Sequence, residues 1–295
     1  MIPPSVAQTI SPRSYLYVPG DRDDRIKKVL KRGADAIILD LDDSVIAENK
    51  SMAREIVSDW LEGHVGHLPN IWLRITVDNP ADDIQAISAP IAGLIVPRAE
   101  TPLLAEVDQL LSAKERALRC KVGDINVIPL VESARGLLSA EELASAPRTL
   151  RLGIGRADLA GELGLAVDPE GPEFQSILLQ LVIASSAAGI AAPVAPASTD
   201  FRNLDALRAS TKQLMRLGFR GRTAVHPAQL AVINAVFTPT PGEIERASRL
   251  VSALDAARRD GSGVTTDENG GMVDAAIVRS AREVLARAGD TNLNR

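Results

Sequence analysis

Eight short runs rich in valine, isoleucine and leucine recur along the chain, and longer segments with helical spacing separate them. This alternation is typical of repeated βα units, in which parallel strands form one sheet that helices cover. Eight strands, each followed by a helix, favour a (β/α)8 TIM barrel, although an open doubly wound sheet has the same local pattern. The predicted strands are residues 15–18, 36–41, 71–75, 93–96, 126–131, 149–153, 192–195 and 223–225.

Two of the intervening helices are clearly marked by apolar residues three and four positions apart. Gly33 and Gly218 stand where helices are expected to end, because glycine readily adopts the left-handed conformation that closes a helix. The second marked helix is expected to open at Pro241. The two apolar faces comprise Leu103, Leu104, Val107, Leu110 and Leu111, and Ile244, Ala247, Leu250, Val251 and Leu254.

The C-terminal part of the chain exceeds what a barrel needs. The sequence predicts a barrel core at residues 1–240, and the last barrel helix with a C-terminal helical extension at residues 241–295. Residues 258–271 are polar and rich in glycine, whereas residues 272–288 are apolar at helical spacing. We expect this extension to be a lid over a site or an arm that packs on a neighbouring subunit.

The amino-acid composition limits which partners and which cellular compartment are expected for this protein. The net charge of -5 and the dispersed basic residues provide no broad basic surface, so nucleic acid is not an expected partner. The single cysteine, Cys120, excludes a disulfide within the chain and fits a reducing cytoplasm. The longest apolar stretch, residues 177–183, is interrupted by Gln180 and is too short to span a bilayer, so no membrane contact is expected.

Acidic residues follow two neighbouring predicted strands, at the edge where barrel enzymes carry their active sites. Glu132 follows the fifth run and Asp158 follows the sixth. Two carboxylates at one edge are suitable Mg2+ ligands, and they leave room for a substrate. Equally, both residues could be acids in the first turns of helices, where the helix dipole favours them. The sequence alone leaves both interpretations open.

Arg74 is a charged residue at the end of an apolar run, so a buried position would require an anion beside it. That anion is either a substrate carboxylate or enolate, or a neighbouring carboxylate such as Asp42 or Asp43. The two interpretations are compatible. Asp40, Asp42 and Asp43 follow the second run and form an acidic cluster that we expect to support the site.

The segment GIGRAD follows a predicted strand and opens a helix. Its backbone N–H groups at Arg156, Ala157 and Asp158 could bind a substrate carboxylate beside the metal. The segment matches the dinucleotide-binding fingerprint only at two glycines, since Asp158 stands at the third glycine position, so NAD is not expected. His226, after the last run, is interpreted as a structural or hydrogen-bonding residue.

Eight stretches of the chain resemble the citrate lyase β-subunit-like or HpcH/HpaI aldolase group of CoA-ester lyases. They occur in the family's order from Arg13 to Ala288 and cover nearly the whole chain. The stretches are RSYLYVPGDR, GADAIILDLDDSV, WLRITVDN, GLIVPRAE, VIPLVESARGL, LGIGRADLAGELG, GRTAVHPAQ and GGMVDAAIVRSAREVLARA.

This resemblance implies a (β/α)8 barrel, usually a homotrimer, that uses Mg2+ to cleave or form a carbon–carbon bond in malyl-, citramalyl- or citryl-CoA. It implies that Glu132 and Asp158 hold Mg2+ and that Arg74 faces the substrate. It also implies that Asp274 is the acid/base, delivered by the C-terminal arm of an adjacent subunit. The family often has Glu where Asp42 stands and Lys where Arg98 stands, so substrate preference is expected to differ.

The expected substrates are a CoA thioester and a 2-oxo acid. Arg13, Arg22 and Arg25, near the first strand, are predicted contacts of the CoA phosphates, although Arg22 and Arg25 could equally be solvated residues of a helix face. Two alternatives remain: an Mg2+-dependent 2-oxo acid aldolase that uses no CoA, and a citrate lyase β subunit that works in a complex on a thioester bound to an acyl carrier protein.

Overall fold

The computed structural model describes residues 12–64, 70–165 and 173–292 of the chain, with side chains up to residue 289. The described chain consists of two compact units, residues 12–234 and residues 235–292. The sequence predicts a division at residue 240. Within the described residues, no helix is long and apolar enough to cross a membrane.

The first unit contains one parallel sheet of eight strands among the described residues, in the order β6-β5-β4-β3-β2-β1-β8-β7. Backbone N–H groups of Ala191 and Val194 donate to the carbonyls of Leu150 and Leu152 at 3.1 and 2.8 Å, and these bonds join the two edges of the sheet. The sheet is therefore a nearly closed barrel, which confirms the predicted fold. The strands are β1 (Ser14–Pro19), β2 (Ala36–Asp40), β3 (Ile71–Arg74), β4 (Gly93–Val96), β5 (Asn126–Val131), β6 (Gly153–Ile154), β7 (Val194–Ala195) and β8 (Gly221–Ala224).

Helices follow the strands, and the two predicted glycine ends are confirmed. Gly33 and Gly218 both have left-handed φ angles, of 79° and 115°, at the ends of helical segments. Short 3-10 turns occur at Leu30–Arg32, Ala47–Asn49 and Pro227–Gln229. The helices are α1 (Asp23–Val29), α2 (Lys50–Glu62), α3 (Pro80–Gln85), α4 (Thr101–Ala117), α5 (Ala134–Leu138), α6 (Ala140–Ser145), α7 (Arg156–Leu163), α8 (Glu173–Ala188), α9 (Leu204–Leu217), α10 (Leu230–Phe237), α11 (Pro241–Arg259) and α12 (Ala275–Asn292).

The predicted strands agree with the structure to within one residue at each end for β1 to β5 and less well for β6 to β8. Strand β4 and strand β5 have the predicted bounds, whereas β6 begins at Gly153, with only an isolated bridge at Thr149. Strand β8 begins two residues early because it includes Arg222, which is 2% exposed. Its guanidinium donates to Pro196 O at 3.0 Å and to Thr211 Oγ1 at 2.7 Å. A search for apolar runs does not include a charged residue such as Arg222 in a strand, even where the fold buries it with hydrogen-bond acceptors.

Alternate residues of the strands point into the barrel, as the two-residue period of a strand requires. Their side chains form a continuous core inside the sheet. The other strand face packs on the helices, which explains why most strand positions are apolar. This interior core comprises Tyr15, Ala36, Ile38, Trp72, Ile95, Ile128, Leu130 and Val194.

The second unit has a core of its own. Helices α11 and α12 pack on each other, and two short antiparallel strands, β9 (Thr265–Thr266) and β10 (Met272–Val273), lie between them in the chain. Leu254, Val273 and Val278 are buried together in this core. The predicted apolar face of α11 is thus confirmed.

Candidate active site

The floor of the site is the next inward-facing layer of the barrel, two residues beyond the apolar core. Tyr17, Asp40, Arg74 and Glu132 each follow an interior residue by two positions, namely Tyr15, Ile38, Trp72 and Leu130. Together with Asp158, these four residues line a cavity of about 940 Å³. The period that builds the core therefore also directs this polar group toward one opening.

Arg74 is held by the predicted acidic cluster. Its Nε lies 3.0 Å from Asp40 Oδ1, and its Nη2 lies 3.0 Å from Asp42 Oδ2 and also contacts the Asp43 carboxylate. Arg74 is 9% exposed, and a charge buried to that extent needs such partners. Arg74 and Asp43 nevertheless both line the cavity, so the ion-pair interpretation holds and a cavity-facing position is compatible with it.

The loop that carries the acidic cluster is fixed from two sides. Asp42 N donates to Asp40 Oδ1 at 2.9 Å, and Lys50 Nζ donates to the carbonyl of Leu41 at 3.1 Å. Burial raises the pKa of Asp42 although Arg74 acts against that change. The Asp43 side chain, by contrast, is 66% exposed. Asp43 is therefore the member of the cluster that a substrate anion can displace most easily.

Glu132 follows β5 and is fixed by two backbone features. Its Oε2 accepts a hydrogen bond of 2.7 Å from the N–H of Arg98, a residue with a left-handed φ of 43°. Its Oε1 lies over Gly155, where a Cβ atom would overlap the carboxylate. Glycine at position 155 is thus required by the close approach of Glu132. Burial is the main cause that raises the pKa of Glu132 to about 7; the charge of Asp158 acts in the same direction, and the hydrogen bond from Arg98 acts against it.

Asp158 lies on the same cavity but in a different environment. It is an exposed acid in the first turn of α7, the favourable helix position that the sequence suggested, whereas Glu132 precedes α5 and its capping residue, Ser133. Arg156 and Ala157 also line the cavity at this helix start. The guanidinium of Arg156 lies over the ring of Phe174, 5.4 Å from its centroid.

The two carboxylates fit a magnesium ion. The charge of Asp158 disfavours the ionised form of Glu132, so a divalent cation between the two carboxylates would relieve this repulsion. In the part of the chain that the structure describes, no three His, Cys, Asp or Glu side chains form a metal site. A pair suffices for Mg2+, which usually keeps water ligands and binds through one or two carboxylates and the substrate.

Basic residues of α1 and the following turn line the same cavity. These are Arg25, Lys28 and Arg32, which recur at helical spacing. None of the three forms an ion pair with a described carboxylate. In contrast, Arg22 pairs with Asp24 at 2.9 Å and does not itself line the cavity, whereas Asp24 does.

The structure does not bring Arg13 to the cavity. Arg13 precedes β1 at its amino end, and its guanidinium binds Asp35 through bonds of 2.6 and 2.8 Å. The cavity residues that the sequence analysis did not point to include Tyr17, Lys28 and Arg32. The alternation from Tyr15 and the spacing of three and seven residues from Arg25 could have indicated them. His226 also lines the cavity, and its ring stacks on Phe201 at 4.7 Å.

Asp274 belongs to the second unit and caps α12. Its Oδ1 accepts hydrogen bonds of 2.9 and 3.0 Å from the N–H groups of Ala276 and Ile277. Asparagine can accept the same bonds, since it is an equally good capping residue. The capping role of Asp274 can thus be separated by substitution from any role in proton transfer.

The sequence model of the HpcH/HpaI aldolase/citrate lyase family matches residues 13–227. The chain belongs to this family. Its members include citrate lyase β subunits and CoA-ester lyases, which are magnesium-dependent carbon–carbon lyases. The resemblance found in the sequence is therefore confirmed, and the chain is an enzyme of this type.

Individual relatives match nearly the whole chain. A (3S)-malyl-CoA thioesterase of Cereibacter sphaeroides is 35% identical over 277 residues, which cover 94% of each protein. Citrate lyase subunit beta of Leuconostoc mesenteroides subsp. cremoris is 31% identical, over 95% of this chain and 94% of that protein. Protein CitE of Mycobacterium tuberculosis, in a crystal structure with magnesium, acetoacetate and coenzyme A, has a TM-score of 0.75 at 27% identity, over 96% and 99% of the two chains.

The raised pKa of Glu132 predicts a pH-dependent loss of stability in chelator. Between the ordinary pKa of 4.5 and the folded value of about 7, the folded protein holds a proton that the unfolded chain has released. Stability should therefore fall as pH rises through this range, by about 3 kcal/mol over the whole window. Urea unfolding at pH 5 and pH 8 should show this loss in the wild type but not in Glu132→Gln. Equal pH dependence of the two proteins would contradict it.

Proposed function

We propose that this chain cleaves a 3-hydroxyacyl-CoA, such as malyl-, citramalyl- or citryl-CoA, into acetyl-CoA and a 2-oxo acid, or forms it in reverse. One observation carries the proposal: a pair of carboxylates suited to Mg2+ and a row of unpaired cations line a single cavity. The carboxylates, Glu132 and Asp158, suit a metal-bound 2-oxo acid. The cations suit the phosphates of CoA.

Glu132 and Asp158 would hold the magnesium ion of the family. When bound, it supplies Lewis-acid stabilisation to the oxygens of the 2-oxo acid, on which charge changes during the reaction. The N–H groups at the start of α7, at Arg156 and Ala157, would bind the carboxylate of the same acid. The substrate is thereby oriented between two strands of the barrel.

Cleavage moves one proton and one electron pair. The 3-hydroxyl group loses its proton and becomes the carbonyl of the 2-oxo acid, while the pair from the broken carbon–carbon bond forms the enolate of acetyl-CoA. The enolate then takes a proton at its methyl carbon. Arg74 would stabilise negative charge on the substrate carboxylate or the enolate oxygen, after displacing the exposed Asp43. Asp274 is the proposed acid/base that exchanges the proton at carbon.

The cations favour soluble CoA over a carrier-bound thioester. Arg25 and Lys28 lie on one side of α1, and Arg32 extends the row along the cavity. CoA has several phosphate groups, whereas a carrier-bound pantetheine has a single phosphodiester. Three cations that form no ion pair with a described carboxylate within 4 Å match the larger negative charge. The Asp24 carboxylate, whose charge acts on two of them, already pairs with Arg22. If the protein were an aldolase that uses no CoA, the row of Arg25, Lys28 and Arg32 would have no phosphate ligand.

Hydrolysis of the thioester is the second candidate function. It is favoured by the 35% identity to a (3S)-malyl-CoA thioesterase over 94% of the chain. The two reactions have different products from one substrate. A lyase releases acetyl-CoA and a 2-oxo acid, whereas a thioesterase releases free CoA and a hydroxy acid.

The deciding experiment is product analysis by liquid chromatography with malyl-, citramalyl- and citryl-CoA, in Mg2+ and in excess chelator. We expect one thioester to give acetyl-CoA in Mg2+ only. Glu132→Ala should lose this turnover and keep its circular dichroism spectrum. Free CoA as the first product would identify a thioesterase, and turnover in chelator would remove the magnesium assignment.

The cation row predicts a defect in CoA binding. The double variant Lys28→Ala, Arg32→Ala should raise the KM for the CoA thioester roughly tenfold, the equivalent of about 1.4 kcal/mol, with kcat little changed. Lys27→Ala is the matched control, since Lys27 pairs with Asp23 at 2.5 Å and does not line the cavity. Steady-state kinetics at several salt concentrations measure KM and kcat for the double variant and for the control. An unchanged KM in the double variant would place the phosphates elsewhere.

The shared-site proposal for Asp274 can be tested by complementation. Asp274→Asn should keep α12 capped and should preserve Mg2+ binding, yet it should abolish turnover. If a neighbouring subunit of a homotrimer supplies Asp274, coexpression with Glu132→Ala should restore on the order of a quarter of wild-type activity through mixed oligomers. Full activity of Asp274→Asn would show that Asp274 only caps α12. If coexpression of the two variants restores no activity, the site is not shared between subunits.

A further inference from the structure

Tyr17 lies where the apolar core of the barrel meets the polar cavity. It faces inward from β1, two residues above the fully buried Tyr15, and it lines the cavity beside Arg74 and Glu132. The guanidinium carbon of Arg74 lies 5.5 Å from the centroid of its ring. Tyr17 is thus a polar group at the floor of the site that the proposed mechanism has not yet used.

The hydrogen-bonding capacity of Tyr17 is only partly satisfied. Its phenol group is in polar contact with Arg74. Because a guanidinium group only donates, the phenol oxygen is the acceptor in this contact. The proton of the hydroxyl group has no acceptor among the described residues. Tyr17 is half-buried and borders the cavity, so a ligand in the cavity is the available acceptor for this proton.

The hydroxyl group remains a donor at working pH. Burial raises the pKa of Tyr17 to about 12, with Arg74 acting in the opposite direction. Asp40, Asp42 and Asp43 already surround Arg74, so the guanidinium alone is a weakened source of positive potential. A neutral donor beside it adds a directed hydrogen bond without another buried charge.

We infer that Tyr17 is a catalytic residue whose hydroxyl group donates a hydrogen bond to the thioester enolate oxygen held by Arg74. This inference rests on the proposed lyase function. Such a donor acts mainly where negative charge develops, so it lowers the barrier more than it strengthens substrate binding. Tyr17 and Arg74 would together form the site for that oxygen.

The test is Tyr17→Phe, which keeps the ring and removes only the hydroxyl group. We expect kcat for acetyl-CoA release to fall about 100-fold, as for the loss of one oxyanion donor. The KM for the thioester, the Mg2+ affinity measured by calorimetry and the melting temperature should stay near the wild-type values. The matched control is Tyr15→Phe, because Tyr15 lies on the same strand and its hydroxyl accepts from Arg151 at 3.0 Å. This control should keep kcat.

The possible outcomes distinguish failure of the Tyr17 inference from failure of the proposed lyase function. If the wild type releases no acetyl-CoA, the lyase proposal fails and this inference fails with it. If the wild type is active and Tyr17→Phe keeps its kcat, only the inference fails. A change confined to KM would assign Tyr17 to ground-state binding and would also overturn it. An equal loss of kcat in Tyr15→Phe would show a general effect of barrel packing and would likewise overturn it.

Discussion

Closure of the parallel sheet is the constraint on which the rest of the structure depends. In a closed barrel, every second side chain of a strand is enclosed, so each must be accommodated by its neighbours. Leu130 and Glu132 extend across the positions of Gly153 and Gly155, where any Cβ atom would collide with them. The glycines of β6 and its continuation thus make room for one core residue and one predicted metal ligand.

Negatively charged side chains outnumber positively charged ones around Arg74 at the mouth of the barrel. Five carboxylates, those of Asp40, Asp42, Asp43, Glu132 and Asp158, meet the cations Arg74 and Lys50. This surplus raises the pKa of Glu132 together with burial, and it favours a divalent cation in the site. Arg74 is surrounded by carboxylates. In the proposed mechanism it therefore binds a substrate anion only after Asp43 is displaced, and the Tyr17 hydroxyl group donates a second hydrogen bond to that anion.

Much of the fold and part of the site could be predicted because strands and helices are local patterns. The strands β4 and β5 have the predicted ends, and the acidic cluster does surround Arg74. The prediction agreed least at β6, which shares only Gly153 with the predicted run, and it missed the start of β8, where Arg222 is buried with specific partners. Arg13 was expected near the CoA phosphates, yet it binds Asp35 at the opposite end of its strand.

By itself, the sequence determined the alternation of strands and helices, the residues at the strand ends and the family, since each depends on order along the chain. Only the tertiary structure decided which of these residues share one cavity. It separated Arg25, Lys28 and Arg32 from the paired Arg22, and it brought Tyr17 beside Arg74. The reason is physical: the closed barrel sets the distances between strands, and those distances decide which charges pair and which remain available for a ligand.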